Sequence, residues 1–474
     1  MQALAGILFV AALALAVLFG GQTVDYSWGP ALVVLAPAVL LSLAGFRQLR
    51  ERGWGAWLCS LLLASAWGWT LYACAHSPVK QFARSDALLV GGMILCFVYG
   101  LLLQPAGKTG RLLMGGLALL GIANGVVVLL QVSDPDFSWP FASRPSTFPS
   151  GFFGHYNHLA DFAAVGAALL TARLLFAKDR LAERILQALG IIFFGICIAF
   201  AKSRGGLVGC AAAAEVIAVG AFLIALRERS KWLRLLALLP LLFLVLGGLA
   251  GSWMLKSFES ARGVENASAQ GFADNRSRLV LYGIALRVSA DHPLTGGGSR
   301  SFGWRKYSSW NSDPSAQDGK MPTNDDFAHN EVLQTAVDYG WLGAGLVVLA
   351  IMTTGLTGVA GLMMKDEHAR SPRFAADATV IGGLAGLTAT LVNSNFSFVT
   401  HTFPGAMYLG LTLAMVLPRR TPAPVAYTRR LLAGIPVTLG ALATADSVLQ
   451  DGNNACRVYL TTWPVSNTNL AIDE

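Results

Sequence analysis

Asp326-Phe327-Ala328-His329-Asn330-Glu331-Val332-Leu333-Gln334-Thr335-Ala336-Val337-Asp338-Tyr339-Gly340-Trp341-Leu342-Gly343 opens into an apolar run that continues to residue 364. A run of that length spans the hydrocarbon core of a bilayer. The stretch reads as polar chain entering a membrane helix, with His329 at the water-facing edge. Histidine is the side chain best suited to proton transfer near neutral pH. Chemistry is therefore expected at a bilayer surface, beside this histidine.

The rest of the chain agrees. Of 474 residues, 54% are hydrophobic and 13% charged, and the mean hydropathy is +0.55. Soluble domains carry roughly 25% charged residues. Membrane-length runs lie near 3–21, 30–46, 55–75, 86–103, 111–131, 158–177, 185–203, 206–226, 235–253, 340–364, 374–398 and 403–417, with a weaker one at 431–446. The expected fold is an all-α polytopic membrane protein of about 12 transmembrane helices. A β-barrel would show short alternating strands instead. No Lys or Arg precedes the first run, unlike the basic start of a cleaved signal, so it reads as the first span. Cys59, Cys74, Cys96, Cys197 and Cys210 fall in apolar runs and Cys456 in the tail. Without CxxC or zinc spacing, they read as packing residues.

Basic residues alternate between loops. Arg47, Arg50, Arg52, Lys108, Arg111, Lys178, Arg180, Arg184, Arg227, Arg229, Lys231, Arg234, Lys365, Arg370, Arg373, Arg419, Arg420, Arg429 and Arg430 fall on one side. The opposite short loops hold only Lys80, Arg84, Arg144, Lys202 and Arg204. The positive-inside rule puts the first set, and the N-terminus, in the cytoplasm. This asymmetry explains the net charge of +8. No basic patch interleaved with aromatics calls for a nucleic-acid partner.

The organisation follows: helices one to nine over 1–253, a large outer loop over 254–330, further helices over 331–446 and a tail over 447–474. Long loops are usually functional. This one has a cationic half followed by an acidic half that ends at His329. Residues 276–291 read as a helix with Leu279, Tyr282, Leu286 and Ala290 on one face, stopping at His292-Pro293. The turn Thr295-Gly296-Gly297-Gly298-Ser299 follows; its backbone N–H groups suit an anion, and glycine runs also serve as plain flexible turns.

Four features share the outer side: Gly154-His155-Tyr156-Asn157-His158, Lys202-Ser203-Arg204-Gly205-Gly206, Arg276 with Arg278, and His329. Arg204 sits in a very short connection, where it either binds a substrate or snorkels to lipid headgroups. Arg276 and Arg278 either face a ligand or form a solvated helix face. His329 is a general base, a helix-start residue or an interfacial histidine. His155, His158 and His329 have no carboxylate pattern that would mark a metal site. Asp325-Asp326, an adjacent acidic pair, reads as a solvated turn. The chemistry that fits is transfer from a phosphorylated lipid. Two arginines can hold a diphosphate and stabilise it as leaving group, and a nearby histidine can take the proton of an acceptor hydroxyl. With arginines carrying the charge stabilisation, neither metal nor cofactor is needed.

These residues resemble the O-antigen ligase and polymerase superfamily of bacterial envelope glycosyltransferases. The resemblance runs roughly from the third span to the twelfth. It is carried by Gly151-Phe152-Phe153-Gly154-His155-Tyr156-Asn157-His158-Leu159-Ala160, by Ser203-Arg204-Gly205-Gly206, by Arg278-Leu279 through His292-Pro293-Leu294-Thr295-Gly296-Gly297-Gly298, and by His329-Asn330 with Gly340 and Gly343. It implies a metal-independent, inverting transferase of GT-C-like fold in the bacterial inner membrane, with its site on the periplasmic side. The donor would be a glycan on undecaprenyl diphosphate. Arg204 and Arg278, with Arg276, would bind the diphosphate, and His329 would act on the acceptor hydroxyl. Asn157, His155 and Asn330 would complete the outer site; His155 stands where many relatives have a small polar residue or Asn. Ligases of this kind use lipid A–core as acceptor, polymerases another lipid-linked repeat, and protein-directed relatives a serine or threonine. The single long loop favours a ligase. A lipid or solute transporter is the alternative from another class, against which stand the lack of a clear internal repeat and the placing of charge at the membrane edge.

Overall fold

The computed structural model describes residues 1–19, 21, 27–43, 53–102, 107–141, 148–228, 267–310, 326–363 and 374–417. The expected spans at 235–253 and 431–446, the tail, and loop residues 254–266 and 311–325 lie outside the described residues. Among the described residues every regular element is helical. The helices are α1 (Gln2–Leu18), α2 (Gly29–Ser42), α3 (Trp54–His76), α4 (Lys80–Leu102), α5 (Lys108–Ser133), α6 (Tyr156–Phe176), α7 (Leu181–Ala201), α8 (Arg204–Glu228), α9 (Ala267–Asp291), α10 (Ser301–Trp310), α11 (Glu331–Met363), α12 (Phe374–Asn393) and α13 (Phe403–Val416), with a 3-10 turn at Val399–His401 before α13.

Seven of these, α3 to α8 and α11, are long and apolar enough to cross a membrane, and α1, α2 and α13 are shorter apolar helices. A helix satisfies its own backbone, so it can stand in lipid while its side chains face outward. Leu4, Ile7, Val33, Leu40, Leu61, Leu119 and Ile192 do so, each at least half exposed. Inside, α6 and α13 form the core. Most residues of α6 are buried and every residue of α13 is. α6 packs on α7, α8 and α12, and α13 packs on α4 and α12. Small residues permit this closeness: a Cβ at Gly121 or Gly166 would collide with the ring of Phe194.

The two ends of the bundle differ. At one end Arg173 pairs with Asp179 at 2.5 Å, Arg227 with Asp377 at 2.6 Å and Arg111 with Glu183 at 3.7 Å, while at the other Arg300 pairs with Asp86 at 3.0 Å. The first end gathers the start of α5, the α6–α7 turn and the end of α8, where the sequence concentrates Lys and Arg. The other end gathers the starts of α6, α8, α11 and α13, and it carries His155, His158, His329 and His401.

Two expectations are corrected. The loop helix reaches back to Ala267, and its buried face is Leu281, Ile284, Ala285 and Val288, which form a small core with Phe302, Ala328 and Val337. Leu286 is half exposed. Both sets have helical spacing; tertiary contact with α10 and α11 chose between them. The expected span at 340–364 is the second part of a helix that begins at Glu331 and breaks at Gly340, which has φ 75° and ψ 168°. The break frees the carbonyl of Tyr339, and the indole N–H of Trp69 donates to it at 2.8 Å.

Candidate functional site

His329 sits in the five residues that lead into α11. Its φ is +54°, in the left-handed region that non-glycine residues rarely occupy. Neighbours on both sides hold it there. The Ala328 N–H donates to Gln334 Oε1 at 2.8 Å. The Asn330 side chain caps α11, its Oδ1 accepting from the N–H groups of Val332 at 3.1 Å and Leu333 at 3.0 Å. Asn330, and not His329, is thus the helix-start residue. The Tyr282 hydroxyl reaches from α9 to the His329 carbonyl at 3.3 Å and the Asn395 carbonyl at 2.5 Å. A left-handed residue over-determined in this way is a hallmark of sites that store strain for function.

The turn between α12 and α13 forms the adjoining wall. Asn330 Nδ2 donates to Asn395 Oδ1 at 3.3 Å, and the Glu331 N–H donates to the Ser394 carbonyl at 2.9 Å. Phe398 is the shared aromatic centre. Its ring centroid lies 5.2 Å from that of His329, 4.9 Å from His158 and 4.3 Å from Phe327.

His155 is the N-cap of α6, its Nδ1 accepting from the Asn157 N–H at 3.1 Å. This bond leaves Nε2 to carry the proton of the neutral ring. His158 follows, 5.6 Å from His155 between ring centroids. Crowding by surrounding protein, then His329, then the Arg278 guanidinium lower the pKa of His155 below the ordinary histidine value. The same Arg278 acts on the Tyr282 hydroxyl one turn along α9. Arg278, Tyr282, His155 and His329, from three separate stretches of chain, therefore share one neighbourhood. Arg276 lies on the same helix.

Arg204 opens α8. The preceding Lys202 ends α7 in the left-handed conformation with φ 50°, and Ser203 Oγ accepts from the Gly206 N–H at 3.1 Å, starting the next helix at once. A Cβ at Gly205 would strike Asn393, and one at Gly206 would strike Ala160. The two glycines thus seat the start of α8 against α6 and against the α12–α13 turn that carries Phe398. Arg204 is half-buried at this end.

The glycine-rich turn does something other than bind an anion. Its N–H groups are occupied: Gly296 donates to His292, Gly297 to Val337 at 2.8 Å and Gly298 to Asp338 at 3.0 Å. Trp341 donates back to the Pro293 carbonyl at 2.7 Å. Gly296, at φ 72°, and Gly340 would each drive a Cβ into the other strand of this contact. The turn is a latch that locks the loop onto the kink of α11. Buried Asp338 completes it, accepting from the Ser301 N–H at 2.7 Å and from Gln334 Nε2 at 2.7 Å.

Sequence reading passed over several residues here. Tyr282 looked like a core position, and Glu331 and His401 lie 70 positions apart but face each other. Below His158 lies a buried polar layer of Asp161, Thr390, Asn393 and Tyr408, each at most 2% exposed. Asp161 Oδ1, His158 Nδ1, Thr390 Oγ1, Asn393 Nδ2 and the Tyr408 hydroxyl make no hydrogen bond in the structure. Uncompensated polar groups are costly in a helical membrane core, so packing alone does not explain this layer. A carboxylate three residues after His158, inside an apolar run, was the available signal. Among the described residues no group of three His, Cys, Asp or Glu side chains is arranged to hold a metal ion.

Comparison with known proteins adds one positive finding. Residues 189–348, about a third of the chain, match the model of a family described as O-antigen ligase. No curated protein matches the chain. The matched stretch runs from α7 to the middle of α11 and holds Arg204, Arg276, Arg278, His329 and Asn330, whereas His155 and Asn157 precede it. Over residues 189–348 the chain is therefore similar to the O-antigen ligase family, and its several membrane-length helices fit a multi-pass helical membrane protein.

Proposed function

We propose that this protein is a metal-independent, inverting glycosyltransferase of GT-C-like fold, working at the periplasmic face of the bacterial inner membrane. It takes a glycan from undecaprenyl diphosphate and passes it to an acceptor hydroxyl, with lipid A–core as the preferred acceptor. One observation carries the reading: His329, held in a left-handed backbone conformation, shares its neighbourhood with Arg278 and His155. A histidine, the side chain that exchanges protons near pH 7, shares the surroundings of His155 with a guanidinium.

The roles follow from the chemistry. Arg204 and Arg278, with Arg276 on the same helix as Arg278, hold the diphosphate and stabilise the charge that grows on it. The acceptor hydroxyl loses its proton to His329 as its oxygen attacks the anomeric carbon. The bond from that carbon to the diphosphate oxygen breaks on the opposite face, which inverts the configuration. Asn157 and a neutral His155 contact the glycan or acceptor. Asn330 serves this site through the start of α11, since both ends of its amide are hydrogen-bonded.

The glycolipid profile of a deletion strain tests the reading. Loss of long polysaccharide from lipid A–core, with accumulation on the carrier lipid, is the expected result. Single repeats that reach the surface without chain growth would point to a polymerase, and glycans missing from secreted protein to a protein-directed transferase. An unchanged profile would overturn the proposal and favour transport. Within the site, Arg204→Lys is expected to raise KM for the lipid-linked donor about tenfold, because a point charge cannot replace the bidentate fork. Unchanged donor kinetics in this variant would remove Arg204 from the site.

A further inference from the structure

The sequence separates Glu331 from His401, but the fold puts them in one contact directly behind His329. Glu331 Oε2 lies 3.1 Å from His401 Nδ1, and each side chain is only 12% exposed. Glu331 Oε1 also accepts from the Thr400 N–H at 2.9 Å. The carboxylate therefore ties the first residue of α11 to the 3-10 turn by both its oxygens. The ring of His401 also packs on Phe327 at 4.8 Å between centroids. Phe327 stacks on Phe398, which in turn contacts His329. The pair thus reaches His329 by two routes: the backbone through Asn330, and the aromatic stack.

We propose that Glu331 and His401 are positioning residues for His329, acting as a buried ion pair that clamps the His329 segment to the α12–α13 turn. This rests on the reading of His329 as the base. A residue at φ +54° relaxes to an ordinary conformation unless its flanks are fixed. Asn330 and Tyr282 fix it through neutral hydrogen bonds, whereas the Glu331–His401 contact is charged and requires a protonated imidazole. The charged and titratable groups acting on His401 are Glu331 and Asp338 from α11, Asp86 from α4, Arg300 from the start of α10 and His158 from α6. Burial alone would favour a neutral ring, but Glu331, with Asp86 in support, outweighs it and raises the pKa of His401 above the ordinary histidine value. A raised pKa keeps the clamp fully formed below the unperturbed value near 6.5. The clamp is lost as pH rises through the higher value of the folded protein. Transfer is therefore expected to fall at alkaline pH, because the base loses its position.

The test uses full-length protein in nanodiscs with a lipid-linked glycan donor. Glu331→Gln keeps a carbonyl to accept from Thr400 but removes the charge. It is expected to lower kcat by about 10–100-fold with KM for the donor nearly unchanged, and to remove the alkaline limb of the pH profile, since no charged pair is left to lose. His401→Gln is expected to abolish that limb. Histidine NMR on wild type and Glu331→Gln gives a readout independent of turnover. The resonance lost in His401→Gln should titrate at lower pH once Glu331 is neutral. His329→Ala is run alongside. If it remains active, the assignment of the base fails, and the clamp with it. If it is inactive while both pair variants keep the wild-type pH profile, the clamp alone is refuted.

Discussion

His329→Ala is expected to lose transfer activity by about 10²–10⁴-fold, the range that a positioned general base contributes, while the protein remains folded in the membrane. The structure supports that separation of activity from folding. The segment is held by Asn330, Gln334, Tyr282 and Glu331, and the hydrogen bond from Tyr282 goes to the His329 backbone carbonyl, which alanine retains. Alanine has no group to accept a proton at this position, so neither higher pH nor more donor should restore the rate. The check is a rate with saturating donor and acceptor, with the amount of folded protein measured by size-exclusion chromatography. A folded variant with wild-type turnover would remove His329 from the mechanism.

Gly340→Ala is expected to have the largest effect on folding, about 3–5 kcal/mol. Two costs add. A backbone at φ 75° and ψ 168° is essentially glycine-only. The new methyl would also meet the Leu294 carbonyl and the Thr295 N–H. Relief of either clash breaks the latch in which Gly297 donates to Val337 and Trp341 to Pro293. The loop carrying Arg278 would then detach from the helix that follows His329. A thermal shift in detergent should show Gly340→Ala melting well below both wild type and His329→Ala. Equal melting of all three would contradict the latch.

The helices were legible in the sequence because a span needs only length and apolarity, and ten of the helices overlie expected spans with shifts of a few residues at their ends. The start of α11 was not. Nine residues before Gly340 carry Glu331, Gln334 and Asp338, too polar to be read as membrane span, and their burial depends on the distant 394–401 turn and on Ser301. Of the charges that would act on a donor, Arg204 was visible as a cation in a very short membrane-edge connection, whereas Arg278 read equally well as a solvated face of the loop helix. The residues that aim the histidine were not visible. Glu331 and His401 stand 70 positions apart, and no local pattern marks them as partners. The glycine turn was open between two readings: a run that suits anion binding also suits a plain turn or close backbone docking, and only the partners of its N–H groups distinguish them.

The most direct measurement is transfer by purified protein in proteoliposomes, from undecaprenyl-diphosphate-linked glycan to lipid A–core, with a chelator present. Wild type should form the glycosylated acceptor with inverted anomeric configuration and release undecaprenyl diphosphate in equal amount, and His329→Ala should form neither above background. Equal turnover by the two proteins, or movement of the intact lipid-linked glycan without bond cleavage, would contradict the assignment of a glycosyltransferase that uses His329 as its base.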